Sequence, residues 1–118
     1  MRLLVLLSAC LLFAACDNTP PNQVKDDPSY TADIRPIFNA NCVACHSGSG
    51  PSGNYDLSTR AGTLGTGSDS VPNVFAGGAS VSLLFTRLDA GTMPPSGRLD
   101  TTDIYNVRNW INQGAKDN

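Results

Sequence analysis

Apolar positions recur at helical spacing in three stretches of this 118-residue chain, and an unbroken apolar run opens it. Ile34, Ile37, Phe38 and Cys42 fall at i, i+3, i+4 and i+8, one stripe along a helix. Asp33 is its predicted N-cap, which places Pro36 in the first turn, where a missing N–H is harmless. A second stripe comprises Val81, Leu84, Phe85 and Leu88, with Ser80 as N-cap. The third is the best specified. Asp100 caps it, Asp103 sits at N3 near the positive helix end, and Leu99 can staple against Ile104. Its apolar positions are Ile104, Val107, Trp110 and Ile111, and Gly114 stops it. Between Ser47 and Gly78 the chain is rich in Gly, Ser and Pro and reads as loops, with one turn of helix near Asp56–Arg60. No alternating strand pattern or internal repeat stands out, so the expected class is small all-α, three main helices with long loops. Loops of that length are uncommon in a compact domain unless they are functional or wrap something.

The opening run has the anatomy of an export signal. Arg2 supplies a short basic region, and Leu3–Ala15 is an apolar stretch too short to span a bilayer, which takes about 20 residues. The segment Leu12-Phe13-Ala14-Ala15-Cys16 resembles a bacterial lipoprotein signal, in which small residues precede a cysteine that becomes the lipidated N-terminus. Cleavage and release, with Cys16 an incidental small residue, is the alternative. Asp17–Pro28 is polar, rich in proline and without periodicity, as a linker should be. Its twelve residues would reach on average about 20 Å and at most about 40 Å, a tether length. The expected organisation is a signal over 1–15, a flexible tether over 16–29 and a domain over 30–118. In either case the mature chain is exported to the periplasmic side of a bacterial membrane.

Composition changes the picture in two ways. Hydrophobic residues make up 41% of the chain, but the leader holds many of them, and without it the fraction falls to roughly 34%. That is a thin core for a domain of this size, so something besides side chains is expected to fill part of the interior. The formal net charge is −2 and no basic run occurs, so nucleic-acid binding is set aside. The chain has one His and no Glu, so acid–base or nucleophilic catalysis would have to run through His46.

The chemistry concentrates in Cys42-Val43-Ala44-Cys45-His46, the c-type haem attachment motif. Two cysteines three positions apart at a helix end face one way and can form thioethers to the two vinyl groups of one porphyrin. The adjacent imidazole can then meet the iron from the proximal side. A redox disulfide would leave His46 idle and lacks its usual βαβ setting. A structural zinc would lack a fourth ligand. For the sixth position of the iron the sequence offers Met93, in Gly91-Thr92-Met93-Pro94-Pro95. Two prolines fix the chain after it, and its soft sulfur favours Fe(II), raising the potential.

With these residues in hand, the domain resembles the bacterial class I c-type cytochromes, in the branch with a Met-Pro-Pro distal loop. The matching residues are Asp33-Ile34-Arg35-Pro36-Ile37-Phe38, the Cys42–His46 motif, Met93-Pro94-Pro95, and Trp110-Ile111-Asn112-Gln113-Gly114-Ala115. The resemblance implies a small cytochrome c fold in which the first and last helices cross near one covalently attached haem c. It also implies axial ligation by His46 and Met93, and one-electron transfer with redox protein partners at an exposed haem edge. The expected role is an electron carrier rather than an enzyme, free or as a subunit of a larger oxidoreductase; the alternative is a haem-based enzyme or sensor in which Met93 dissociates from the iron. A lysine-rich face of the mitochondrial type is absent. Phe38 and Trp110 are expected at the helix crossing, against the haem. Tyr105 either points outward or reaches a haem propionate. Arg87 and Arg98 flank the Met93 loop, and each is a candidate partner for a propionate, with a solvated surface charge as the alternative.

Overall fold

The computed structural model describes residues 22–118, and among them it contains helices and turns but no strand, only an isolated bridge between Thr66 and Pro72. Four α-helices run in order: α1 (Arg35–Asn41), α2 (Arg60–Thr63), α3 (Leu83–Asp89) and α4 (Thr101–Asn112). Short 3₁₀ turns occupy Ser52–Asn54 and Ala79–Val81. The all-α class is therefore as expected. The signal over 1–15 and Cys16 lie outside the described residues.

The first stripe starts earlier than its periodicity suggests. A π turn over Tyr30–Ile34 leads straight into α1, and its N-cap is Ser29, not Asp33. Ser29 Oγ accepts from Ala32 N–H at 3.2 Å, while Asp33 Oδ2 accepts from Ser29 N–H at 2.8 Å. Asp33 is thus the answering half of a capping box. The turn widens just before Pro36, whose missing N–H and bulky ring exclude a regular i→i−4 bond there. Ile34, Ile37 and Phe38 are all buried, as the stripe requires.

In the second stripe, Val81 drops out: it is 66% exposed. The N-cap is Ser82 rather than Ser80 and the helix begins at Leu83, because Ser82 Oγ is engaged across the preceding turn, accepting from Phe75 N–H at 2.9 Å and donating to Gly78 O at 2.8 Å. Leu84 and Leu88 still face inward, and Phe85 is half-buried. The helical turn expected near Asp56–Arg60 starts four residues later, at Arg60. Asp56 closes an Asx turn onto Ser58, and Thr59 caps α2 by accepting from Gly62 N–H. Gly62 passes so close to Asp56 O that a Cβ there would stand 2.5 Å away.

Helix α4 matches its prediction most closely. Asp100 Oδ1 accepts from Thr102 N–H at 2.8 Å, and Ile104, Val107, Trp110 and Ile111 are wholly buried. Gly114, at φ +103°, ends it in a Schellman motif: Gly114 N–H bonds to Ile111 O and Ala115 N–H to Trp110 O. Trp110 is the hinge of the core. Tyr30 lies 5.5 Å from it on one side and Phe38 meets it edge-on at 6.4 Å, while its indole N–H donates to Lys116 O at 2.9 Å. The crossing expected between the first and last helices is therefore made largely by the π turn and α4.

The linker expected over 16–29 is strapped to α4 in its described part. Asn106 Oδ1 accepts from Lys25 N–H at 2.8 Å, its Nδ2 donates to Gln23 O at 3.1 Å, and Asn109 Nδ2 donates to Lys25 O at 2.7 Å. Two side-chain amides on successive turns thus read an extended backbone, which no hydrophobic periodicity would reveal. Pro28 is buried, and Lys116 pairs with Asp27 at 3.0 Å.

Trp110→Ala is expected to lower stability by about 3–5 kcal/mol, measured by urea unfolding. Asp103 gives a pH-dependent outcome. Partial burial, and secondarily the Asp100 carboxylate, push its carboxyl above the usual range, against the pull of the positive helix end. A carboxyl raised in the folded state costs stability once ionised. The penalty is absent at low pH and sets in as pH rises through the carboxylate range. Asp103→Asn should therefore raise the urea midpoint at neutral pH and leave it unchanged below about pH 3.

Candidate functional site

The site begins where α1 ends. Cys42 is its C-cap, with its N–H on Phe38 O at 2.8 Å, and the Cys42 carbonyl accepts both Cys45 N–H at 3.2 Å and His46 N–H at 2.9 Å. This turn brings the two thiols and the imidazole to one cavity. The loops that follow are tied back to it, Ser52 N–H to Cys45 O at 2.9 Å and Leu57 N–H to His46 O at 2.8 Å.

His46 is oriented from behind. Its Nδ1 lies 3.1 Å from Tyr55 O, and the two rings meet edge to face at 5.9 Å. A carbonyl can only accept, so it selects the tautomer with the proton on Nδ1 and leaves the Nε2 lone pair for a metal. Tyr55 is itself fixed, its hydroxyl donating to Thr63 O at 2.7 Å in α2. Burial, with smaller contributions from Cys42 and Tyr30, raises the Tyr55 hydroxyl pKa above the ordinary phenol value. It therefore stays a neutral donor at physiological pH.

On the far wall stands the loop after α3. Gly91, at φ +73°, turns the chain out of the helix, where an L side chain would be strained by about 1–2 kcal/mol. The Arg87 carbonyl then accepts from Thr92 N–H at 3.0 Å and from Met93 N–H at 3.3 Å. Pro94 is buried behind it, after a cis Met93–Pro94 bond.

Between these walls is a cavity of about 460 Å³, within the range for cofactor pockets. Cys42, Cys45, His46 and Met93 all line it. Tyr55 and Leu57 contribute from the proximal loop, Leu83, Leu84 and Leu88 from α3, and Pro94 and Pro95 from the distal loop. Burial pushes the Cys42 thiol up to about 11, whereas Cys45 is exposed.

Among the described residues, Cys42 and Cys45 are not bridged, and no three His, Cys, Asp or Glu side chains converge as a site for a metal ion. Cys42, Cys45 and His46 all line the cavity. Phe38 and Trp110 meet each other but do not line the cavity; Tyr55 and Leu57 take the place expected of them. Tyr105 faces Arg108, whose guanidinium lies 4.3 Å from its ring centre, and Arg98 is drawn to Asp89 at 3.5 Å. Tyr55 and Leu57 carried a weak signal in the sequence, two apolar residues alternating inside an otherwise polar loop.

A family model described as Planctomycete cytochrome C matches residues 42–97. The matched stretch runs from the first motif cysteine past the Met-Pro-Pro loop and covers both cavity walls. No curated protein and no solved structure matches the chain. A small all-α cytochrome c fold and a covalently bound haem c follow from the match, and the cavity fits that group. Its walls are mostly apolar, two unbridged thiols stand at CxxCH spacing, and one imidazole is held with Nε2 free. Cys42 and Cys45 would carry the thioether bonds.

Expressed with haem maturation, the protein should gain the mass of one haem. The Cys42→Ala/Cys45→Ala double variant should gain none, as read by intact-mass spectrometry under denaturing conditions.

Proposed function

We propose that this protein is an exported one-electron carrier with His46 and Met93 as axial ligands, held at the periplasmic face of a bacterial membrane by a lipid on Cys16. The observation that carries the reading is that the two side chains best suited to bind haem iron line one apolar cavity, one of them with its tautomer already selected. Bound haem c supplies reversible exchange of a single electron. His46, held through Nδ1, would bind without rotating. Met93, on a loop pinned at both amides to the α3 terminus, would fill the sixth position and keep small ligands off. Leu83, Leu84 and Leu88 exclude water from that side, which favours the less charged, reduced state.

Partners would be redox proteins that dock at an exposed haem edge, with exposed Cys45 as its candidate marker. A brief contact of small area suffices for such transfer. The net charge of −2, more negative once Arg2 leaves with the signal, suits a neutral or basic docking patch. Among the described residues no helix is long and apolar enough to cross a membrane; the proposed attachment is the lipid on Cys16. Two signals are usually needed for stable lipid anchoring, and a diacylated, N-acylated cysteine would supply several chains at once.

Met93→Ala should retain its haem but show a midpoint potential lower by on the order of 0.1 V, a fraction of the span axial ligands command. The reduced variant should bind carbon monoxide, and the reduced parent protein should not. An unchanged potential would remove Met93 from the iron. Ready binding of carbon monoxide by the parent would replace the carrier with a ligand-binding haem protein. The mass spectrum that counts haem also reads the acyl chains on Cys16.

A further inference from the structure

The cavity wall is not wholly apolar. Among its lining side chains Arg87 brings a cation and Asp69 a carboxylate. Asp69 is engaged locally, its Oδ1 accepting from Val71 N–H at 3.3 Å. The other arginines near the fold's working parts are also occupied. Arg60 donates to Ala115 O at 2.7 Å, Arg98 to the Asp89 carboxylate at 3.5 Å and to Thr101 Oγ1 at 3.3 Å, and Arg108 lies over Tyr105. Arg87 differs: among the described residues its side chain has neither a hydrogen bond nor an ion pair, and it stands at the cavity.

Haem c carries two propionate carboxylates. Anions brought against a mostly apolar wall lose hydration, and that loss must be offset by a counter-charge or by donors. A guanidinium meets this need better than an ammonium, because its planar fork can donate two parallel hydrogen bonds to one carboxylate. Of the two arginines that flank the distal loop, Arg98 is turned onto Asp89 and Arg87 is left for the cofactor.

We propose that Arg87 binds a haem propionate and, by placing positive charge beside the cofactor, raises its reduction potential. The assignment rests on haem c occupying this cavity. It also gives one residue two attachments, since the Arg87 carbonyl already holds the Thr92 and Met93 amides. Strain on the propionate contact would therefore be felt at the Met93 loop. Loss of the cation stabilises the oxidised state, so the sign of the effect on potential is fixed.

Redox titration of the haem-loaded protein tests this with Arg87→Gln, Arg87→Lys, Arg98→Gln and Arg108→Gln. At a solution potential poised at the parent midpoint, Arg87→Gln should show a ratio of oxidised to reduced protein several-fold higher. Arg87→Lys should recover much of the difference. Arg98→Gln and Arg108→Gln, which remove the same charge elsewhere, should track the parent. Coincident titrations of Arg87→Gln and parent, or an equal shift in Arg98→Gln, would overturn the assignment. Haem content, counted by mass, separates the levels. A parent protein without covalent haem would overturn the haem reading itself, whereas one haem with no shift overturns Arg87 alone. Should Arg87→Gln fail to accumulate, phenylglyoxal labelling of the parent holoprotein decides. Arg35 and Arg87 are both exposed in the structure, so in the holoprotein Arg35 should be modified and Arg87 spared by the propionate, and labelling of Arg87 as fast as Arg35 would refute the contact.

Discussion

An imidazole that binds metal through Nε2 must keep its proton on Nδ1 and must not rotate. Here both conditions fall on the 3.1 Å contact between His46 Nδ1 and the Tyr55 carbonyl, and much of the proximal loop serves to deliver that carbonyl. Leu57 N–H returns to His46 O, Tyr55 is anchored by its hydroxyl to Thr63, and Thr63 sits in α2, which Thr59 caps. From the same helix Arg60 Nε reaches Ala115 O at 2.7 Å, in the turn that closes α4 beneath Trp110. The imidazole is thus connected, through one continuous set of hydrogen bonds and helix turns, to the core residue on which the π turn and α1 also pack. Such a path makes the proximal side stiff because each link is short and the Tyr55–Thr63 bond is buried.

The distal side is built differently. Met93 depends on a single carbonyl, that of Arg87, shared between two amides at 3.0 and 3.3 Å, and on the two prolines that follow. Its residue is half-buried, and the loop around it is largely exposed. The two halves of the site are therefore unequal in rigidity. Thioether–iron bonding is weak enough to need a restrained loop, yet the restraint here acts on backbone rather than on the side chain itself.

Much of the fold was legible because local signals and packing agree. Helix α4 shows this best, with a cap, a stripe and a stop signal that all name the same boundaries. The motif Cys42–His46 and the Met93 loop were legible because their chemistry needs particular residue types at particular spacings. What was not legible used groups that every residue has. The carbonyl of Tyr55 orients His46, and backbone N–H and C=O groups of Gln23 and Lys25 take up the amides of Asn106 and Asn109. No composition or period announces a backbone acceptor. The early start of the first helix was hidden for a related reason. Ser29 and Asp33 can each cap a helix, and only the reciprocal pair of bonds tells which one does. Val81 had the right spacing for the second stripe, but the side chain of Ser82 was committed to the turn before it.

The strap on α4 alters how far the protein can wander. With the chain held to the domain from Gln23 onward, a lipid at Cys16 would stand seven links from the strap, a span of at most about 25 Å. That is shorter than the linker's composition suggests. A domain so restrained cannot search the surrounding volume. Anchored in that way, it would roll against the membrane surface, and the rate at which it met a partner would be governed by lateral diffusion and by how often its cofactor edge faced sideways.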